Sequence, residues 1–135
     1  MKRLMCTLSV ASVSLLLSAC AVAPKASPEV LVQQRANERW QALVNGDFDK
    51  AYAYSTPGFK AVVDLSGFRG RTGIAGKWLG AEAIRVECDA PVKCKAVVRL
   101  DFKPLIYSKS FDKISTHIDE TWLLEDGQWW HFQKI

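Results

Sequence analysis

Apolar positions along this chain keep three periods in turn, and each period predicts a different kind of element. Leu4 to Leu17 form a nearly continuous apolar stretch, interrupted only by Thr7 and scattered serines. Its length of about 14 residues falls short of the roughly 20 that a helix needs to cross a bilayer. From Val30 the pattern turns helical, because Val32, Ala36, Trp40 and Leu43 recur at i, i+4, i+8 and i+11. Gln33, Gln34, Arg35, Asn37, Glu38 and Arg39 fill the other faces. Asn45-Gly46 closes this helix, since glycine takes the left-handed conformation at little steric cost. Asp47 is placed to cap a shorter helix through Phe48, Ala51, Tyr52 and Tyr54, ended by "STPG" at 55–58. "FKAVVDLSGFRG" is ambiguous: it has room for a short helical turn, but Gly67 and Gly70 weaken a longer one.

The second half of the chain alternates, as half-buried strands do. "KWLGAEAIRVEC" predicts one strand with Ile84, Val86 and Cys88 on one face. "CKAVVRLDFKPLIY" predicts the next, with Ala96, Val98, Leu100 and Phe102 facing one way and Lys95, Arg99, Asp101 and Lys103 the other. After the polar turn "SKSFDKIS", the chain closes as a hairpin around Asp126-Gly127, a strong two-residue turn signal. That register pairs Leu124 with Trp129, Trp122 with His131, Leu123 with Trp130 and Thr121 with Phe132. Both faces of the hairpin are then bulky and apolar, so the face turned from the helices needs a second cover.

Composition and the first 29 residues place the chain in a cell. Lys2 and Arg3 precede the apolar stretch, and the small residues Ser18 and Ala19 follow it, as in a secretory signal. Leu17-Ser18-Ala19-Cys20 resembles the lipobox of bacterial lipoproteins, in which the peptidase cuts before the diacylglyceryl-bearing cysteine. An ordinary signal cut nearby is the alternative. The lipobox reading makes residues 1–19 a signal peptide, Cys20 the lipid-attachment residue and 20–29 a lipidated tether, with one domain over 30–135. Two or more acyl chains hold a protein on a membrane stably, where one does not. The absence of Asp after Cys20 favours the outer membrane, with the domain facing the periplasm.

Without Lys2 and Arg3, 18 − 2 = 16 basic residues face 14 acidic ones, a modest balance that gives no reason to expect nucleic acid. Cys88 and Cys94 flank Asp89-Ala90-Pro91-Val92-Lys93 between two predicted strands, and an oxidising envelope favours joining them. A metal site would need two more ligands, and the chain has only two histidines. The glycine run "GFRGRTGIAGKW" fails as a phosphate loop, because five residues separate Gly70 from Gly76-Lys77 and Trp78 stands where Ser or Thr would hold Mg²⁺. It reads as a flexible loop, on which Arg69 and Arg71 are more simply solvated than anion-binding.

"ERWQALVNGDFDKAYAYSTPGF", followed much later by "DETWLLEDGQWWHFQK", resembles the nuclear transport factor two-like (SnoaL-like) superfamily over roughly residues 30–135. The resemblance implies an α+β fold in which N-terminal helices pack on a strongly curved antiparallel sheet, cone-shaped and of cystatin-like type. It also implies dimerisation through the sheet in many members, and proton transfer in some by a carboxylate or histidine opposite a donor. Candidates for that chemistry are Asp64, Asp101, His117 and Glu120, with Tyr52 or Tyr54 as donors. No base–donor pair is forced together by the sequence. The five tryptophans are richer material. The expected function is therefore a non-catalytic module binding a small apolar ligand or an envelope protein partner, with a small proton-transfer enzyme as the alternative. Tyr54, Trp78, Trp122, Trp129 and His117 are the candidate pocket or interface residues, with no cofactor and no metal.

Overall fold

The computed structural model describes residues 25–72, 76–105 and 112–135. Helix α1 runs from Pro28 to Val44. It starts two residues before the expected Val30, because Ser27 accepts a hydrogen bond from the Val30 N–H while Pro28 takes the first helical position. The predicted stripe of Val32, Ala36, Trp40 and Leu43 is buried, and Arg39 is buried with it. Gly46, at φ 75°, ends the helix, and the Asp47 N–H donates to the Ala42 carbonyl at 2.8 Å.

Three short helices follow, each opened by a side chain that accepts from the backbone N–H three residues on. Asp47 caps α2 (Phe48–Ala53), Thr56 caps α3 (Pro57–Val62) and Asp64 caps α4 (Leu65–Arg71). The ambiguous "FKAVVDLSGFRG" therefore holds parts of two helices. Gly67 permits the second, since a Cβ there would lie 3.1 Å from Val63 Cγ1 and 3.3 Å from the capping Asp64 oxygen. The first part of the expected glycine loop, through Arg71, is helical too, with Phe68 fully buried and Arg69 and Arg71 in the last turn of α4.

Four antiparallel strands complete an α+β domain: β1 (Gly76–Ala90), β2 (Lys93–Pro104), β3 (Ile114–Glu125) and β4 (Gln128–Phe132), in sheet order β1-β2-β3-β4. The β3–β4 register is the predicted one, including Trp122 opposite His131 and Leu124 opposite Trp129. Cys88 and Cys94 are direct cross-strand partners and form a disulfide beside the tight turn at Pro91-Val92. One face assignment needs correcting. Ile84 is exposed rather than aligned with Val86 and Cys88, because a register shift between Ala83 and Arg85 resets the alternation.

Both edges of the sheet are bonded to α1. On β1, the side-chain Oδ1 of Asn37 accepts from the Ala83 N–H at 2.7 Å, and Gln33 Nε2 donates to the Ala83 carbonyl at 2.9 Å. On β4, Arg35 Nε donates to the Trp129 carbonyl at 2.6 Å. The linker between α2 and α3 covers the rest of that edge, the His131 N–H donating to the Tyr54 carbonyl and the Thr56 N–H to the His131 carbonyl. Unpaired strand edges invite further strands; these contacts occupy the β4 edge at Trp129 and His131 and the β1 edge at Ala83. No helix among the described residues is long and apolar enough to cross a membrane.

Candidate functional site

The side chains between α1 and the sheet converge on one carboxylate. Glu120 sits on the inward face of β3, in line with Trp122, and is 4 % exposed. Its Oε1 accepts from Arg39 Nη1 and Trp40 Nε1, both at 2.7 Å, and its Oε2 from Trp122 Nε1 at 3.1 Å. His131, carried inward by its pairing with Trp122, places Nε2 3.6 Å from the same Oε1. Burial pushes the Glu120 carboxyl above the ordinary carboxylate range, against Arg39 and the two indoles. Burial lowers Arg39 as well, but a guanidinium starts so high that it stays charged. His131 is held well below 6.5, first by burial and then by Arg39, so it is neutral. Arg39 Nε and His131 Nδ1 are buried without a partner, an arrangement costing about 1–3 kcal/mol for each such group.

This centre meets the distance a proton-transfer site requires, yet its chemistry is different. Arginine and indole N–H groups hold a carboxylate; they do not trade protons with it near neutral pH. Solvent hardly reaches the carboxylate, since Glu120 is only 4 % exposed and its cross-strand neighbour Ala96 is fully buried. Among the tyrosine donors, Tyr54 does reach a carboxylate, donating to Glu38 Oε2 at 2.8 Å in a half-buried position. Hydrogen bonds from Gln34 and Tyr54 lower Glu38, while burial and Glu38 raise Tyr54. Each shift moves its group further from neutrality, the reverse of what general acid–base work needs.

The other sequence candidates scatter. His117 is exposed on the outer face of β3, opposite Arg99. Asp64 is a helix cap, and Asp101 lies on the outer face bonded to Ser115 and Lys113. Tyr52 donates to the Val63 carbonyl at 2.8 Å. Trp122 and Trp129, expected at a pocket or interface, are core residues at 0 % and 4 % exposure. Cys20 lies outside the described residues. Trp78 both packs on the core and lines an open concavity. Its ring meets Trp40 edge-on at 5.7 Å. Beside it lies a groove of about 370 Å³ between the end of α1 and the start of β1, lined by Leu43, Val44, Phe48, Trp78 and Leu105. No group of three or more His, Cys, Asp or Glu side chains among the described residues could hold a metal ion.

No protein-family model matches the chain, and no curated protein does. Solved structures do. A SEC-C motif containing protein from Rhodopseudomonas palustris aligns with TM-score 0.55 at 17 % identity, over 79 % of this chain and 76 % of that one. Another from Psychrobacter arcticus aligns with TM-score 0.59 at 14 % identity, over 93 % of this chain and 75 % of its own. At such identities the likeness is one of fold. It overturns the nuclear transport factor two-like resemblance, since these neighbours belong to a different fold family. The misleading segments are local ones: "NGDFDKAYAY" encodes a glycine stop followed by an aspartate cap, and "TWLLEDGQWW" a two-residue hairpin. Each specifies an element without specifying the superfamily around it.

Proposed function

We propose that this chain is a binding module of the cell envelope, held at the outer membrane through a lipidated Cys20 and facing the periplasm, whose groove at Trp78 receives a small apolar ligand. The observation that carries the reading is the contrast between two sites. The polar centre at Glu120 is sealed and its hydrogen bonds are internal, whereas the Trp78 groove is open, apolar and walled by two helices and a strand. Its volume lies near the lower end of ligand sites, roughly 300–1,000 Å³. We read the sheet as strongly curved about α1, in the cystatin-like manner. Three register irregularities in β1 supply local bending, and one helix bonds both edge strands.

Native mass spectrometry of the chain purified from an envelope fraction tests this reading. A retained small molecule that is lost in Trp78→Ala is the expected result. A chain that fractionates identically with Cys20 and with Cys20→Ser, and carries no adduct, would remove both the anchor and the ligand. A second reading has its own observation: a groove of about 490 Å³ on the outer side of the β3–β4 hairpin, lined by Phe59, Leu123, Phe132 and Ile135. It suits an envelope protein or a second copy. Because Trp122 and Trp129 are buried, the variants that probe it are Leu123→Asp and Phe132→Asp, which would abolish a complex seen in the same spectra.

A further inference from the structure

The outer edge of β1 is only partly occupied. Gln33 bonds the Ala83 carbonyl and Asn37 the Ala83 N–H, so α1 runs antiparallel to β1 and its first turns lie beside the residues after Ala83. Among the described residues, no backbone group of β1 beyond Ala83 bonds outside the sheet. Such an edge is a template for another strand. Apolar side chains flank it. Val30 shares the flank of α1 that carries Gln33 and Asn37, at i, i+3 and i+7, and is 54 % exposed. Ile84, turned out by the register shift, is 43 % exposed. Protected edges rely on charge, lysine above all. Here the charges are of opposite sign: Arg85 and Glu87, both exposed, straddle Val86 and lie 3.5 Å apart along their own strand.

We propose that β1 pairs, antiparallel and centred on Val86, with β1 of a second copy, so that two sheets become one. About that centre Arg85 stands opposite the partner's Glu87, and Glu87 opposite the partner's Arg85. Opposite charges in directly opposed cross-strand positions attract. The neighbouring registers do the reverse, since centring on Arg85 or on Glu87 sets like charges opposite each other. A one-residue slip would oppose inward to outward side chains. The ladder stops at Ala83, whose backbone α1 already holds. This edge lies apart from the grooves at Trp78 and Phe132, so the pairing goes beyond both readings of them. It also gives Val30 and Ile84 a cover that the single chain does not.

Sedimentation velocity of the purified full-length chain over a range of concentrations tests the pairing, and a dimer is the expected result. Arg85→Glu and Glu87→Arg should each weaken it by about tenfold or more, because both charge pairs become like-charge contacts. Arg85→Glu/Glu87→Arg should restore it, since the pairs re-form with their signs exchanged. Both positions are exposed, so circular dichroism should show the fold kept in all three variants. Hydrogen exchange at the amides of 84–88 should be slow in the dimer and quicken in the single variants. Phe132→Asp should leave this dimer unchanged, which separates it from association through the hairpin groove. A monomer at every concentration, a dimer untouched by either single reversal, or a double variant as weak as the singles would overturn the proposal.

Discussion

At the scale of single residues, the fold turns on Glu120. Its three N–H donors come from α1 and from its own strand, so one side chain fastens the first helix to the sheet. Truncating one partner of a buried ion pair leaves the other charge uncompensated, at a cost of about 3–5 kcal/mol. Glu120→Gln should therefore lose stability of that order in urea denaturation, and Arg39→Met/Glu120→Gln should recover part of it. His131 adds a pH dependence of known sign. The unfolded imidazole takes up a proton below about 6.5, while the folded one resists it. Below that pH the unfolded state binds more protons, and stability falls with acidification. Glu120 works the other way, since its raised folded value lets the native chain bind a proton before the unfolded one. Comparing the native chain with His131→Gln isolates the histidine: their stability difference should be flat above pH 6.5 and fall below it. Part of this centre was legible in the sequence. The hairpin register put His131 opposite Trp122, and alternation sets Glu120 on the same face as Trp122, but that this face is the buried one was not read from the sequence. Arg39 was hidden, because a charged residue next to the apolar stripe is ordinarily solvent-facing.

At the scale of elements, capping and alternation carried most of the information. Asp47 and Gly46 announce the break between the first two helices, and Asp126-Gly127 fixes the last hairpin, where both residues have positive φ. What the pattern could not show is where alternation slips. Ile84 looks like an inward residue until the irregularity at Ala83/Arg85 turns it out, and that irregularity depends on pairing with β2 rather than on local composition. The disulfide acts at this scale too. It joins β1 to β2 beside the hairpin turn, across a loop with a sequence separation of 6. A loop so short constrains the unfolded chain modestly, by about 2–3 kcal/mol in the entropic model. Cys88→Ser/Cys94→Ser should thus lower the urea midpoint while keeping the fold, and reductant should change the native chain's midpoint but not the variant's. Arg35→Ala should free one edge of β4. Amide exchange at His131, read by NMR, would then quicken if local opening of that edge sets the rate.

At the scale of the whole molecule, the exposed apolar residues are scattered, among them Val62, Ile84, Leu105 and Phe132. The outer face of β1–β3 is covered by charged and polar pairs such as Arg99 with Glu82, and the anticipated two-sided apolar hairpin narrows to the groove around Phe132. Lys60 reaches over the Trp130 ring at 4.5 Å and shields part of that side. The α+β class could be read from the order of periods, but the superfamily could not. Caps, turns and hairpins are local chemistry, whereas the likeness of fold to two SEC-C motif containing proteins lies in how the elements are arranged.

The bonds between α1 and the last strand also impose an order of events. A chain made or threaded N-terminus first exposes Arg39 and Trp40 long before Glu120 and His131 arrive to receive them. The helix must wait, and its docking is a long-range closure of the slow kind. A product ending before Gln128 would lack the strand that seats Arg35 and closes over Glu120, so it should remain open to proteases while the full chain resists them. The closing of the core is thereby tied to β4: the domain matures only when that strand is present.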